Sequence, residues 1–176
     1  MRKRKKSLIL FGEGKSEAAF LNHLRSLYRP KLLNTRIHID AGRGGSPQCV
    51  ADRLMRQHLD LKSSDGVLLL IDSDIEIDLK LKKELKRCSV KLLLSEPVCL
   101  EGLFLKLLDD KGSKKVKRGA PHLKAYFQKT YLNTDRNCEY VAKLKKACSK
   151  LFPERLIEQK RNENPTLETI LSFMDV

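Results

Sequence analysis

Tryptophan is absent from this 176-residue chain, and aromatic residues make up only 6% of it. A platform that stacks successive nucleic-acid bases needs aromatic faces, so the composition speaks against base stacking as a mode of recognition. Long apolar runs are also missing. None approaches the roughly 20 residues of a membrane span. The basic start, ending at Lys6, is followed only by Ser7–Phe11 before Gly12-Glu13-Gly14. That stretch is too short for a signal-peptide apolar region and carries no small-residue cleavage site. The cysteines number five, an odd count, and Cys49, Cys88, Cys99, Cys138 and Cys148 form no C-x-x-C pair. Reduced, mostly buried thiols in a cytoplasmic protein are expected. His23, His38, His58 and His122 lie near no cysteine pair, so the spacing predicts no zinc site.

What is abundant is positive charge. Lys and Arg number 36 against 22 Asp and Glu, a formal charge of +14. Such an excess on one domain's length points to a polyanionic partner, most often DNA or RNA. The alternative is plain solubility. Backbone contacts would make binding steeply salt-dependent. With 41% hydrophobic residues the chain has enough apolar material for a core.

The first two-thirds alternates strand and helix signals. Ser7–Phe11 is a short apolar strand, and Ala18, Phe20, Leu21, Leu24, Leu27 and Tyr28 follow at helical spacing. Arg36–Asp40 alternates like a strand with one wetter face. Ser46-Pro47 opens a second helix as N-cap and first-turn proline. Val67–Ile71 is the continuous apolar run of a strand buried on both faces. A charged helix is predicted over Ile77–Leu85, a strand over Val90–Leu94, and a helical stripe from Leu100 to Leu108. This order predicts an α/β fold: a Rossmann-like, mostly parallel sheet flanked by helices. Residues 1–110 form that core. Residues 111–119, basic and flanked by glycine, read as an exposed mobile loop. Residues 120–176 read as helical, packed on the same domain.

In an open α/β sheet, ligands gather at the carboxyl ends of strands. The carboxylates there are Glu13 after the first strand and Asp72 with Asp74 after the third, with Glu17 one helical turn beyond Glu13. Clustered carboxylates repel one another, and a hard divalent cation relieves that repulsion. Helix capping is the alternative reading, above all for Glu17. Gly14-Lys15-Ser16 resembles the end of a phosphate-binding P-loop, but the pattern needs glycine where Ile9 stands. Asp72-Ser-Asp74 follows the third strand, whereas D-x-D phosphotransferases carry their nucleophile after the first. A response-regulator receiver needs an acidic pair where Gly12-Glu13-Gly14 stands.

A strand ending in Glu13-Gly14 and a later strand ending in Asp72-Ser-Asp74 together resemble the Toprim signature shared by topoisomerases, primases and OLD-family nucleases. Glu13-Gly14-Lys15-Ser16-Glu17 with Phe20 resembles the opening of RloB-like proteins. Gly44-Gly45-Ser46-Pro47, Glu96-Pro97-Val98-Cys99-Leu100-Glu101, Lys124-Ala-Tyr126 and Asn164-Pro165-Thr166 resemble further RloB segments in the same order. Glu96 replaces the usual asparagine and Leu100 an aromatic. The resemblance implies a Toprim fold, a Mg²⁺ or Mn²⁺ cofactor and phosphodiester cleavage, in bacterial phage defence or restriction. Asp72 and Asp74 would hold metal, and Glu13 would ligate it or act as general base. Glu17 and Glu101 would complete a second metal site. Lys124, or failing that Lys129, would offset phosphate charge. Arg43, Lys114, Lys115, Lys117 and Arg118 would track the nucleic-acid backbone, with Gly42–Gly45 either a phosphate nest or a plain turn. The alternative is a non-catalytic nucleic-acid-binding subunit working with a partner ATPase.

Overall fold

The computed structural model describes residues 4–58, 61–111 and 119–176. The basic residues Lys114, Lys115, Lys117 and Arg118, and with them the expected mobile loop, lie outside those described.

Four strands, β1 (Lys6–Gly12), β2 (Thr35–Ala41), β3 (Gly66–Asp72) and β4 (Val90–Ser95), form one all-parallel sheet in the order β2-β1-β3-β4. Between β1 and β2 runs α1 (Lys15–Leu27). The helix α2 (Pro47–Gln57) joins β2 to β3, and α3 (Leu79–Arg87) joins β3 to β4. The chain moves one way from β1 to β2 and the opposite way from β2 through β3 to β4. Right-handed crossovers therefore set α1 on one face and α2 and α3 on the other.

The side-chain alternation of β1 and β3 separates the two faces. Leu8, Leu10, Leu68 and Leu70 join one core cluster with Phe20, Leu21 and Leu24 of α1. Ile9, Phe11, Val67, Leu69 and Ile71 join a second with Val50 and Leu54 of α2 and Leu81 and Leu85 of α3. Each fully buried leucine contributes about 1.5–3 kcal/mol of transfer free energy, so the unbroken apolar run of β3 anchors both layers. The predicted α3 start shifts: Asp78 caps it, its side chain accepting from the Leu81 N–H at 2.6 Å, and Ile77 is a buried residue just before the cap.

The remaining helices are α4 (Leu100–Leu107), α5 (Ala120–Leu132), α6 (Asn137–Leu151), α7 (Glu154–Arg161) and α8 (Pro165–Phe173). Their apolar residues, among them Phe104, Phe127, Leu144, Phe152, Ile157 and Leu171, belong to the same cluster as α1. The C-terminal helices thus cover the α1 face of the sheet. Phe104 lies 4.9 Å, centroid to centroid, from Phe20 of α1 and 4.7 Å from Phe152. The expectation of mostly buried thiols is corrected: Cys99 and Cys148 are buried, Cys88 is half-buried, and Cys49 and Cys138 are exposed. Among the described residues no helix is long and apolar enough to cross a membrane.

Candidate active site at the carboxyl edge of the sheet

The strand order reverses between β1 and β3, and the carboxyl ends of these two strands carry Glu13 and Asp72. The Glu13 N–H continues the ladder to the Leu70 carbonyl at 2.9 Å. Its side chain turns back, and Oε2 accepts the Asp72 N–H at 3.0 Å. Burial raises the Glu13 carboxyl above its ordinary value, and the Asp72 charge adds to this, against the lowering effect of that N–H. Among the described residues, Glu13 Oε1 accepts no hydrogen bond.

Asp72 shares the face of Leu68 and Leu70 and is 3% exposed. Each oxygen is held. Oδ1 accepts from Ser95 Oγ at 2.8 Å and from the Leu100 N–H at 2.9 Å. Ser95 is its register partner on β4, and Leu100 opens α4, so the first turn of that helix donates to the carboxylate. Oδ2 accepts from Lys124 Nζ of α5 at 2.8 Å. Burial works to lower the Lys124 ammonium, but the Asp72 charge and hydrogen bond outweigh it, so the shift is upward.

Two more carboxylates lie behind this pair. Glu17 is 5% exposed and caps α1, its Oε2 accepting the Gly14 N–H at 2.8 Å. Burial, then the Asp72 charge, pushes it up to about 7. Glu101 is 2% exposed, its Oε1 accepts from Tyr140 OH at 2.6 Å, and its buried Oε2 has no partner among the described residues. Burial raises its carboxyl despite the Tyr140 bond and the Lys124 charge. The backbone around them leaves little slack. A Cβ on Gly12 would lie 2.5 Å from Glu17 Cβ, and one on Gly102 would lie 2.1 Å from the Pro97 carbonyl oxygen.

A groove of about 690 Å³ opens over Glu13, Glu17, Asp72 and Lys124, with Arg43 and Gly44 on its β2 side. Asp74 is exposed, outside the lining, and its charge is the smallest of the influences on Glu13. Lys129 is exposed on α5 and also outside the lining. In the glycine loop, the Gly42 N–H donates to the Gly12 carbonyl at 2.9 Å and the Gly44 N–H to the Glu13 carbonyl at 3.1 Å. Those donors are spent on holding the turn against β1, which fits the plain-turn reading. Gly44 and Gly45 take φ of 72° and 109°, a region that favours glycine.

Among the described residues, no three of these carboxylates bring ligand atoms within 4.8 Å of one another. Mg²⁺ does not require that: it binds through one or two carboxylates and keeps several waters. Glu13 and Asp72, adjacent at the groove floor and with Glu13 Oε1 free of donors among the described residues, fit such an ion. Glu17 and Glu101 are engaged by the α1 cap and by Tyr140.

A different cluster escaped the sequence reading. His38 and Asp40 of β2 and His58 at the end of α2 bring one ligand atom each within 4.8 Å of one another. The available signal was the i, i+2 spacing of His38 and Asp40, which sets both on one face of a strand. A search for cysteine partners passes over it.

The chain matches no family model, no curated protein and no solved structure.

Proposed function

We propose that this chain is an RloB-like Toprim protein acting as a metal-dependent nuclease on DNA or RNA. The observation that carries the reading is the pairing of Glu13 and Asp72 across the β1–β3 switch point, on the floor of a groove that also holds Lys124 and Arg43. Crevices at such points are where open α/β sheets bind ligands.

Glu13 and Asp72 would hold a Mg²⁺ or Mn²⁺ ion, which supplies charge stabilisation to the oxygens of a phosphodiester. Asp74, exposed just beyond β3, would add negative charge near that ion. Glu13, whose carboxyl burial raises above its ordinary value, would either ligate that ion or take a proton from an attacking water through Oε1. Lys124, whose pKa is shifted upward by the Asp72 charge and hydrogen bond against the effect of burial, stays charged and offsets phosphate charge without acting as an acid. Arg43 meets the nucleic-acid backbone at the edge of the groove, and the +14 net charge supplies the long-range attraction. Phage defence or restriction is the setting that the RloB resemblance suggests.

A second reading has its own observation. Lys124 Nζ already neutralises Asp72 Oδ2, as expected of a site that binds nucleic acid without cutting it and relies on a partner ATPase. Incubation of the purified chain with labelled single- and double-stranded DNA and RNA, with Mg²⁺ or Mn²⁺, separates the two. Cleavage in the wild type that falls by about 10²-fold or more in Asp72→Asn supports the nuclease. Salt-sensitive binding with no cleavage under either metal, retained in Asp72→Asn, supports the subunit.

A further inference from the structure

On the opposite face of the edge strand, a second set of donors converges. In β2, Ile37 is buried with the α1 cluster. His38 and Asp40 therefore point to the α2 side, in register with Ile9 and Phe11 of β1. The helix α2 returns over that side and ends at His58, whose ring meets Phe11 edge-on with centroids 6.2 Å apart. The rings of His58 and His38 are 5.2 Å apart. Asp40 Oδ2 lies 3.9 Å from Nε2 of both histidines, too far for a hydrogen bond to either.

His58 Nε2 is solvent-inaccessible and, among the described residues, has no hydrogen-bond partner. Leaving a buried polar atom unpaired costs about 1–3 kcal/mol, so its placement calls for a missing partner. Burial, then the nearby His38, lowers the His58 pKa, and this favours the neutral ring that binds metal. The spacing is slightly wider than a bound ion would set. Two donors on a tetrahedral Zn²⁺ at about 2.0–2.1 Å would lie about 3.4 Å apart. His58 is fixed by α2 and Phe11, with its side chain 14% exposed, whereas the His38 side chain is 60% exposed and that of Asp40 42%. The two more exposed partners have room to turn, so a small closure of their side chains onto the buried one completes the set.

We propose that His38, Asp40 and His58 form a binding site for a divalent transition-metal ion of the Zn²⁺ class. Two imidazoles and one carboxylate suit such an ion far better than Mg²⁺, which prefers an oxygen shell. Three protein ligands leave a position on the exposed side for water or a ligand group. The ion would tie the end of α2 to edge strand β2. No residue of this site belongs to the Glu13–Asp72 groove, and the inference does not rest on the nuclease reading.

The test is a Co²⁺ titration of the metal-stripped 176-residue chain, followed by visible d–d absorption and then by displacement with Zn²⁺. Wild type, His38→Ala, Asp40→Asn and Asp72→Asn are compared. The expected result is one tight equivalent, apart from any weaker binding at the Glu13–Asp72 groove, present in the wild type and in Asp72→Asn and weakened by more than about tenfold in His38→Ala and in Asp40→Asn. His38 and Asp40 side chains are exposed enough that neither change threatens the fold. Absence of stoichiometric binding in the wild type would overturn the site. So would affinity undiminished from the wild type in His38→Ala and Asp40→Asn, or a thiolate-to-metal band assigning the ion to exposed Cys49 or Cys138.

Discussion

Lys124 Nζ sits 2.8 Å from Asp72 Oδ2, so the ammonium of α5 occupies the side of the β3 carboxylate that faces the groove. An incoming cation must share that oxygen with the lysine. Lys124→Met removes the competitor and the source of phosphate neutralisation together. Mn²⁺ affinity should therefore rise while cleavage falls by about 10²-fold. Calorimetry and single-turnover assays on one preparation read both. Weaker Mn²⁺ binding with cleavage unchanged would show the lysine to be a structural counter-ion only.

Glu17 supplies a pH prediction. Its folded pKa is about 7 against an ordinary 4.5, so between those values the folded state holds the proton more tightly than the unfolded chain. The favourable contribution is full at low pH and is lost as pH rises from about 4.5 to about 7. Glu17→Gln keeps an oxygen for the Gly14 cap and removes the ionisation. Relative to wild type its stability should rise through that window and level off above it, by about 3 kcal/mol at most. Urea melts in EDTA at several pH values measure this. A difference that does not vary with pH would mean that Glu17 ionises as freely in the folded protein as outside it.

The close approach of Gly102 to Pro97 makes it a packing test. A methyl there meets the Pro97 carbonyl, so α4 must shift, and with it the Leu100 N–H that donates to Asp72. Gly102→Ala should cost about 1–3 kcal/mol in chemical denaturation and should also weaken Mn²⁺ binding. Full stability in this variant would show that the loop before α4 yields easily.

Much of the architecture was legible in the residues. The Val67–Ile71 run could only be a doubly buried strand, and the proline after Ser46 marked the start of α2. The acidic ends of β1 and β3 follow from the same pattern, because strand ends are visible wherever an apolar run stops at a charged residue. What was hidden is set by tertiary packing. Nothing local distinguishes Glu17 as a cap from Glu17 as a ligand until α1 docks and the Gly14 N–H reaches its carboxylate. Glu101 is drawn to Tyr140, 39 positions away in sequence. His58 joins His38 only because α2 folds back over an edge strand.

Arg43 tests the electrostatic part. It is exposed at the rim of the groove, where one phosphate contact would release about one counter-ion. Arg43→Ala should weaken binding of every nucleic acid alike and reduce the slope of log affinity against log salt by about one. Fluorescence anisotropy across a salt series reads the slope. An unchanged slope would remove Arg43 from the interface.

The central claim is that Glu13 and Asp72 together make a hard-cation site, and calorimetric Mn²⁺ titration tests it most directly. It is run in a His38→Ala background so that the second cluster contributes nothing. The account predicts binding there that disappears when Glu13→Gln and Asp72→Asn are added. Binding that survives both changes, or none at millimolar Mn²⁺ with the parent folded, would contradict it.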